Sequence, residues 1–250
     1  MPLQYTATWK GSIIAMTEFL PKWTRDPVNQ PGYDKQRKVG PTRLGVLKNF
    51  EWDDDPRRVL FSMARYKFVA KMLTGRKNVL EVGCGDAFNS RIVMQEVAEL
   101  TVCDFDPLFI ADAVERMREP WTFHAIIHDL LSFDRIAHGP YDGLYALDVL
   151  EHIPQANEHH VIAKMVDALS RHGVLIIGMP SIESQAYASP QSKAGHVNCK
   201  TMDGLRSLMS RHFHNVFTFG MNDEVVHTGY GPMSHYLISV CCNKIQQLSK

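Results

Sequence analysis

Six residues able to do chemistry stand at regular stations along this 250-residue chain: Glu81, Gly83, Gly85, Asp104, Asp129 and Asp148. The turn Gly83-Cys84-Gly85-Asp86-Ala87-Phe88 carries two glycines, the first permitting a tight turn and the second letting a ligand approach the backbone. A dinucleotide turn would place a third glycine where Phe88 stands. Asp86 also sets a negative charge where a pyrophosphate would sit. The turn therefore suits a nucleoside without phosphates and disfavours NAD. Glu81 offers a carboxylate to a cationic ligand bearing an amino group. Asp104, nineteen residues past Gly85, stands where an acid accepts ribose hydroxyls. Phe105 can pack on an adenine ring, and Asp129 can accept from an adenine amino group. Asp129 alone is more often a turn cap; the ordered set carries the specificity.

Those stations require elements that bring them to one rim. A helix starts at Asp55, its cap, with Pro56 in first position, a stripe through Val59, Met63, Tyr66, Val69 and Leu73, and Gly75 as its stop. Apolar runs follow at 78–82, 100–104, 123–127, 141–147 and 174–179. Helical stretches at 90–98, 108–117 and 158–170 fall between them. Alternating strands and helices imply βαβ units and a parallel sheet covered on both faces. Ligands then bind at the carboxyl ends of the strands. A helix at 202–211 precedes strands at 215–219 and 235–241, read as an antiparallel hairpin closing one edge.

Residues 1–54 read as an irregular N-terminal extension or cap, with one short helix around 12–20, ahead of a domain over 55–250. Trp9, Trp23, Tyr33 and Trp52 argue against disorder there. Basic and acidic residues balance at 27 each, so no net field recruits nucleic acid or an anionic membrane. The five cysteines are odd in number and lack metal spacing, which points to reduced thiols and a cytoplasmic location. No apolar stretch is long enough for membrane insertion, and Met1–Leu20 is too polar for a signal segment.

The strings Val79–Gly85, Val102–Asp106 and Leu147-Asp148-Val149-Leu150-Glu151-His152 resemble motif I, the following acid and motif IV of class I S-adenosylmethionine-dependent methyltransferases. The resemblance covers about residues 56–241. It implies a Rossmann-like α/β fold, with a seven-stranded mostly parallel sheet, an antiparallel last strand and helices on both faces. It also implies S-adenosylmethionine as cofactor, held by Arg65, Glu81, Gly83, Cys84, Gly85, Asp104, Phe105, Asp129, Leu130, Asp148 and Val149. Arg65 would pair with the methionine carboxylate or else pack its stem on the helix. Gly195–Asn198 and Met221–Gly229 more loosely resemble bacterial surface-polysaccharide and sugar methyltransferases.

Methyl transfer needs alignment and, for a hydroxyl acceptor, a base. Histidine is suited to that task. His152 lies beside the expected methyl position, His196 in a polar segment after the fifth strand, and His227 in the long 220–234 connection; each is a catalytic candidate. Asp223, Glu224 and His227 match no metal spacing, so no metal is expected. The expected acceptor is a small molecule or glycan: a sugar, nucleotide-sugar or surface-glycan hydroxyl. Alternatives are an amino-sugar nitrogen, an aromatic or quinone acceptor facing Trp9, Trp23 and Phe213, or a non-catalytic cofactor-binding subunit. A homodimer is compatible with the sequence.

Overall fold

The computed structural model describes residues 22–245, so the helix expected around 12–20 lies outside the described residues. The described residues divide into two compact units, one ending at Arg43 and the other starting at Leu44. In the first, a 3-10 turn at Pro27–Asn29 leads into helix α1 (Gln30–Val39). Irregular structure was expected here because of the prolines and glycines. Instead Pro31 sits in the first turn of α1 and Gly40, with φ +73°, follows its last residue. The supposed breakers are helix punctuation.

The second unit opens with α2 (Val46–Asp54) and α3 (Pro56–Met72). α2 therefore folds with the sheet-bearing unit rather than the extension. Asp55 caps α3 by accepting from the Arg57 N–H at 3.2 Å. Its inner face buries Val59, Ser62, Tyr66, Val69 and Ala70. Then follow β1 (Asn78–Val82), α4 (Ser90–Val93), β2 (Glu99–Asp104), α5 (Pro107–Glu115), β3 (His124–Ile127), β4 (Tyr141–Leu147), α6 (Glu158–Ala168) and β5 (Leu169–Pro180). The chain finishes with α7 (Pro190–Gly195), α8 (Met202–Met209), β6 (Phe213–Asn222), β7 (Val225–His227) and β8 (Tyr236–Lys244).

The strands form one sheet in the order β3-β2-β1-β4-β5-β8-β6-β7. The first five are parallel, and β8 runs antiparallel to both β5 and β6. Among the described residues the count is eight rather than the expected seven. Asp223 adopts φ +51°, turning the chain back so that Val225–His227 pairs with the end of β6. Much of the long 220–234 connection is thus hairpin. The helix expected over 90–98 stops at Val93. Beyond it the Glu96 carbonyl accepts from Gly75, and Ala98 donates to Arg76, so the backbone leaves helical pairing to dock beside β1.

Alternation along the strands feeds two cores. Leu80, Val82, Ala146 and Ile177 pack with α6 and α8 on one face. Val79, Val102, Tyr145 and Ile176 pack with α3 and α5 on the other. Phe213 belongs to the first core at 1% exposure, so it cannot face an aromatic acceptor.

Candidate active site

The strand order reverses between β1 and β4, the place where open α/β sheets bind ligands. After β1, Gly83 and Cys84 both donate to the Cys103 carbonyl on β2, at 2.8 and 3.0 Å. This folds the glycine turn over the strand ends. Gly83 takes φ +71° and Gly85 φ +51°. A Cβ on Gly83 would lie 2.3 Å from Cγ2 of Val149 in the turn after β4. Val149 therefore acts as a wall against the glycine.

Asp104 closes the other side. One carboxylate oxygen accepts from Gly85 N–H at 2.9 Å and the other from Asp106 N–H at 3.0 Å. It holds the turn in shape from beneath. Asp86 is buried and accepts from the N–H groups of Lys48 and Phe88, at 2.9 and 3.1 Å. Its charge therefore caps the first turn of α2 and fastens that helix across the glycine loop.

Between these parts lies a cleft of about 390 Å³. The glycine turn, with Gly83, Cys84 and Gly85, forms one side. Arg65, Asp148, Glu151, His152 and His196 form another, and Leu47, Lys48 and Glu51 of α2 also line it. Sequence reasoning missed the α2 contribution, because only the Asp86 bond reveals where that helix docks.

Arg65 Nη1 donates to both oxygens of Asp148, at 2.8 and 3.1 Å. Its guanidinium lies 3.8 Å from the Tyr236 ring centroid. Asp148 sits at φ +57°, a left-handed conformation that Asp tolerates better than most residues. Arg65 thus orients Asp148. Its own Nε, Asn89 Oδ1 and both Glu151 oxygens are buried polar atoms without a protein partner. Such atoms in a cleft are unused capacity for a ligand.

Glu151 follows β4 in a 3-10 turn (Leu150–His152). Its carbonyl accepts from Val197 and Asn198 at 2.8 and 3.0 Å, and this draws the loop carrying His196 to the site. Asn198 Nδ2 donates to buried Glu158 at 2.9 Å, and Lys200 pairs with the same carboxylate at 2.7 Å. Burial, reinforced by the charge of Asp148, drives the Glu151 carboxyl well above the usual carboxylate range. His152 Nδ1 meets the Gly195 carbonyl at 3.0 Å. Since a carbonyl only accepts, Nδ1 carries a proton, which leaves Nε2 as the ring nitrogen open to a ligand. His196 Nδ1 likewise meets Gln185 Oε1 at 2.9 Å. Burial, then the neighbouring His152, lowers the pKa of His196 and keeps it neutral.

Several expected residues lie elsewhere. Glu81 is buried below the floor of the cleft, its carboxylate taken by the hydroxyls of Tyr66, Tyr145 and Ser90. Those three partners, spread over α3, β4 and α4, leave it no room to meet a ligand amino group. Leu130 is in the core. Asp129 accepts from Leu131 N–H at 2.8 Å, the plain turn cap. Phe105 is 71% exposed, and neither it, Asp104 nor Asp129 is among the lining residues. His227 is also absent from the lining, and its Nδ1 accepts from Gly229 N–H within its own turn. Cys84 lines the cleft, but burial raises its thiol pKa steeply, so it is no nucleophile.

Residues 79–173 match a family model described as a methyltransferase domain. No curated protein matches the chain. The N-methyltransferase NodS from Bradyrhizobium japonicum, solved with S-adenosyl-L-homocysteine, shares 17% identity over 84% of this chain and 97% of its own, with a TM-score of 0.59. A TehB-like S-adenosylmethionine-dependent methyltransferase from Corynebacterium glutamicum shares 17% identity over 88% and 100%, with a TM-score of 0.57. Magnesium protoporphyrin IX methyltransferase from Synechocystis, with bound S-adenosyl-L-homocysteine, shares 18% over 87% and 97%, with a TM-score of 0.53. At these identities the likeness speaks to fold. Taken with the domain match over residues 79–173, it gives the chain a methyltransferase fold of the kind that binds S-adenosylmethionine. No helix among the described residues is long and apolar enough to cross a membrane.

Proposed function

We propose that the chain moves a methyl group from S-adenosylmethionine to a polar acceptor, a hydroxyl of a sugar, nucleotide-sugar or glycan. The observation that carries this reading is the polar wall of Asp148, Glu151, His152 and His196 facing the same cleft as the glycine turn. A cleft of about 390 Å³ suits a nucleoside joined to an amino acid. The unpartnered Arg65 Nε and Asn89 Oδ1 offer it a donor and an acceptor. When bound, the cofactor supplies an electrophilic methyl on a sulfonium leaving group.

In this reading Gly83 and Gly85 admit the donor, Asp104 keeps their turn rigid, and Asp148, held by Arg65, faces its ammonium. His152 and His196 present bare Nε2 atoms toward the acceptor, where they orient it or take its proton. His152→Ala should lower turnover about a hundredfold while S-adenosyl-L-homocysteine affinity stays within twofold. Loss of affinity instead would make His152 a structural residue.

Asp104→Ala should weaken S-adenosyl-L-homocysteine binding by about 1–3 kcal/mol, because the Gly85 N–H loses its fixed partner. Calorimetric titration checks this, and an unchanged affinity removes Asp104 from the site. The same titration on the parent protein, with NAD as control, tests the donor. Binding of the former alone supports the reading and opens a screen of nucleotide-sugars for methyl transfer. Binding of neither turns the chain into a non-catalytic member of its class.

A further inference from the structure

Glu151, His152 and His196 each offer a ligand atom, and these atoms lie within 4.8 Å of one another. The carboxyl of Glu151 has 0% exposure, and neither oxygen has a protein partner. A buried carboxyl left bare is costly, and here the cost is built in twice. The backbone of the same residue is pinned by Val197 and Asn198, which fixes the place from which the side chain projects. Arg65, which lines the same cleft, does not relieve it, since it spends its Nη1 on Asp148.

The imidazoles are prepared in a matching way. Each donates its Nδ1 proton to a fixed oxygen, the Gly195 carbonyl for His152 and Gln185 Oε1 for His196. Gln185 is itself held, its Nε2 donating to the Ser181 carbonyl and Ser184 Oγ, both at 3.3 Å. An imidazole that binds a metal needs this arrangement: the far nitrogen protonated and tethered, the near one bare. The chain has other histidine pairs, His124 with His138 and His159 with His212. Neither joins a carboxylate in such a group among the described residues. Only His152 and His196, 5.2 Å apart by ring centroid, do.

We propose that Glu151, His152 and His196 bind a divalent first-row transition-metal ion through one carboxylate oxygen and the two Nε2 atoms, with the remaining coordination positions open to the cleft. Two imidazoles with one carboxylate favour manganese, iron, cobalt, nickel or zinc over magnesium and calcium, which prefer all-oxygen sets. Ligand atoms around a tetrahedral ion sit about 3.3 Å apart, so the group must close slightly. His152 is exposed and His196 half-buried, and both have room to turn. The spacing hid this site, because His196 lies 44 residues beyond His152 and reaches it only through the bonds to the Glu151 carbonyl. The role of the metal rests on the methyl-transfer reading: an acceptor oxygen or nitrogen would take an open position, its acidity raised by the ion, and His152 and His196, their Nε2 atoms then spent on the metal, would orient the acceptor rather than take its proton.

Chelator-treated protein titrated with Co(II), followed by calorimetry and visible absorption, tests the site. Expected are one equivalent bound at micromolar affinity, d–d bands of a nitrogen–oxygen set, and no displacement by a tenfold excess of Mg(II). Glu151→Gln, His152→Ala and His196→Ala should each weaken binding at least tenfold, whereas His124→Ala should leave it unchanged. His196→Ala changes a loop residue and should keep its S-adenosyl-L-homocysteine affinity, which shows that it is folded. Absence of saturable Co(II) binding in protein that still binds S-adenosyl-L-homocysteine overturns the metal site. So does binding that survives His196→Ala. If Co(II) binds at these residues and S-adenosyl-L-homocysteine does not bind at all, the metal site stands and the methyl-donor reading falls.

Discussion

Gly83→Ala is expected to destabilise the protein by about 2–5 kcal/mol and to abolish measurable S-adenosyl-L-homocysteine binding. Two separate costs add. An alanine at φ +71° loses about 1–2 kcal/mol to its left-handed backbone. Its Cβ would also fall 2.3 Å from Val149 Cγ2, an overlap that costs about 1–3 kcal/mol to relieve. Val149 is β-branched and stiff, and it packs against the core beneath, so it yields poorly. For a chain of this size the melting temperature should drop by about 5–15 °C. Thermal unfolding checks it, and the double variant Gly83→Ala/Val149→Ala separates the terms. Removing the valine should restore the steric part and leave the backbone part. A single variant that melts with the parent would mean that the turn relaxes freely and is no rigid seat for a donor.

The second large effect concerns Glu81 and pH. Burial raises its carboxyl from 4.5 to about 7, against the opposing hydrogen bonds from Ser90, Tyr66 and Tyr145, with the charge of Asp104 adding to the rise. The folded protein therefore holds a proton that the unfolded chain releases above pH 4.5. Protonated Glu81 favours the fold fully below that pH; the benefit fades as pH rises toward 7 and is gone above it. At about 1.4 kcal/mol per pH unit the loss is about 3 kcal/mol. Glu81→Gln keeps the shape and an acceptor for the hydroxyls but does not titrate. The difference in unfolding free energy between parent and variant should slope across pH 4.5–7 and flatten above. Parallel curves would mean that Glu81 is already ionised in the folded state at acid pH.

The sheet and its rim were readable because their residues repeat at short range. Asn78–Val82 and Tyr141–Leu147 are strands as the apolar runs predict. Asp104 and Asp148 fall at strand ends, as the alternation of strands and helices requires. The limits of the reading have physical causes. α1 was hidden because proline and glycine punctuate helices as well as break them. The Glu81 network could not be read, since Tyr66 and Tyr145 meet it only after α3 packs on the sheet. The junction of Glu151 with His196 depends on main-chain bonds, and backbone pairing between distant loops leaves no trace in side-chain periodicity.

The sheet order has a consequence for how the molecule assembles. β6 precedes β8 in the chain, yet β8 lies between β5 and β6. During synthesis α8, β6 and β7 emerge before β8, the strand between β5 and β6 that ties them to the sheet. The parallel half can close on its own helices, but the outer strands must wait for residues 236–244. Until then β5 presents an unpaired, strongly apolar edge, the kind of surface on which unfinished chains stick to one another. A nascent chain of this protein should therefore need a chaperone most in the interval before residues 236–244 emerge, after the ligand-binding half is already formed.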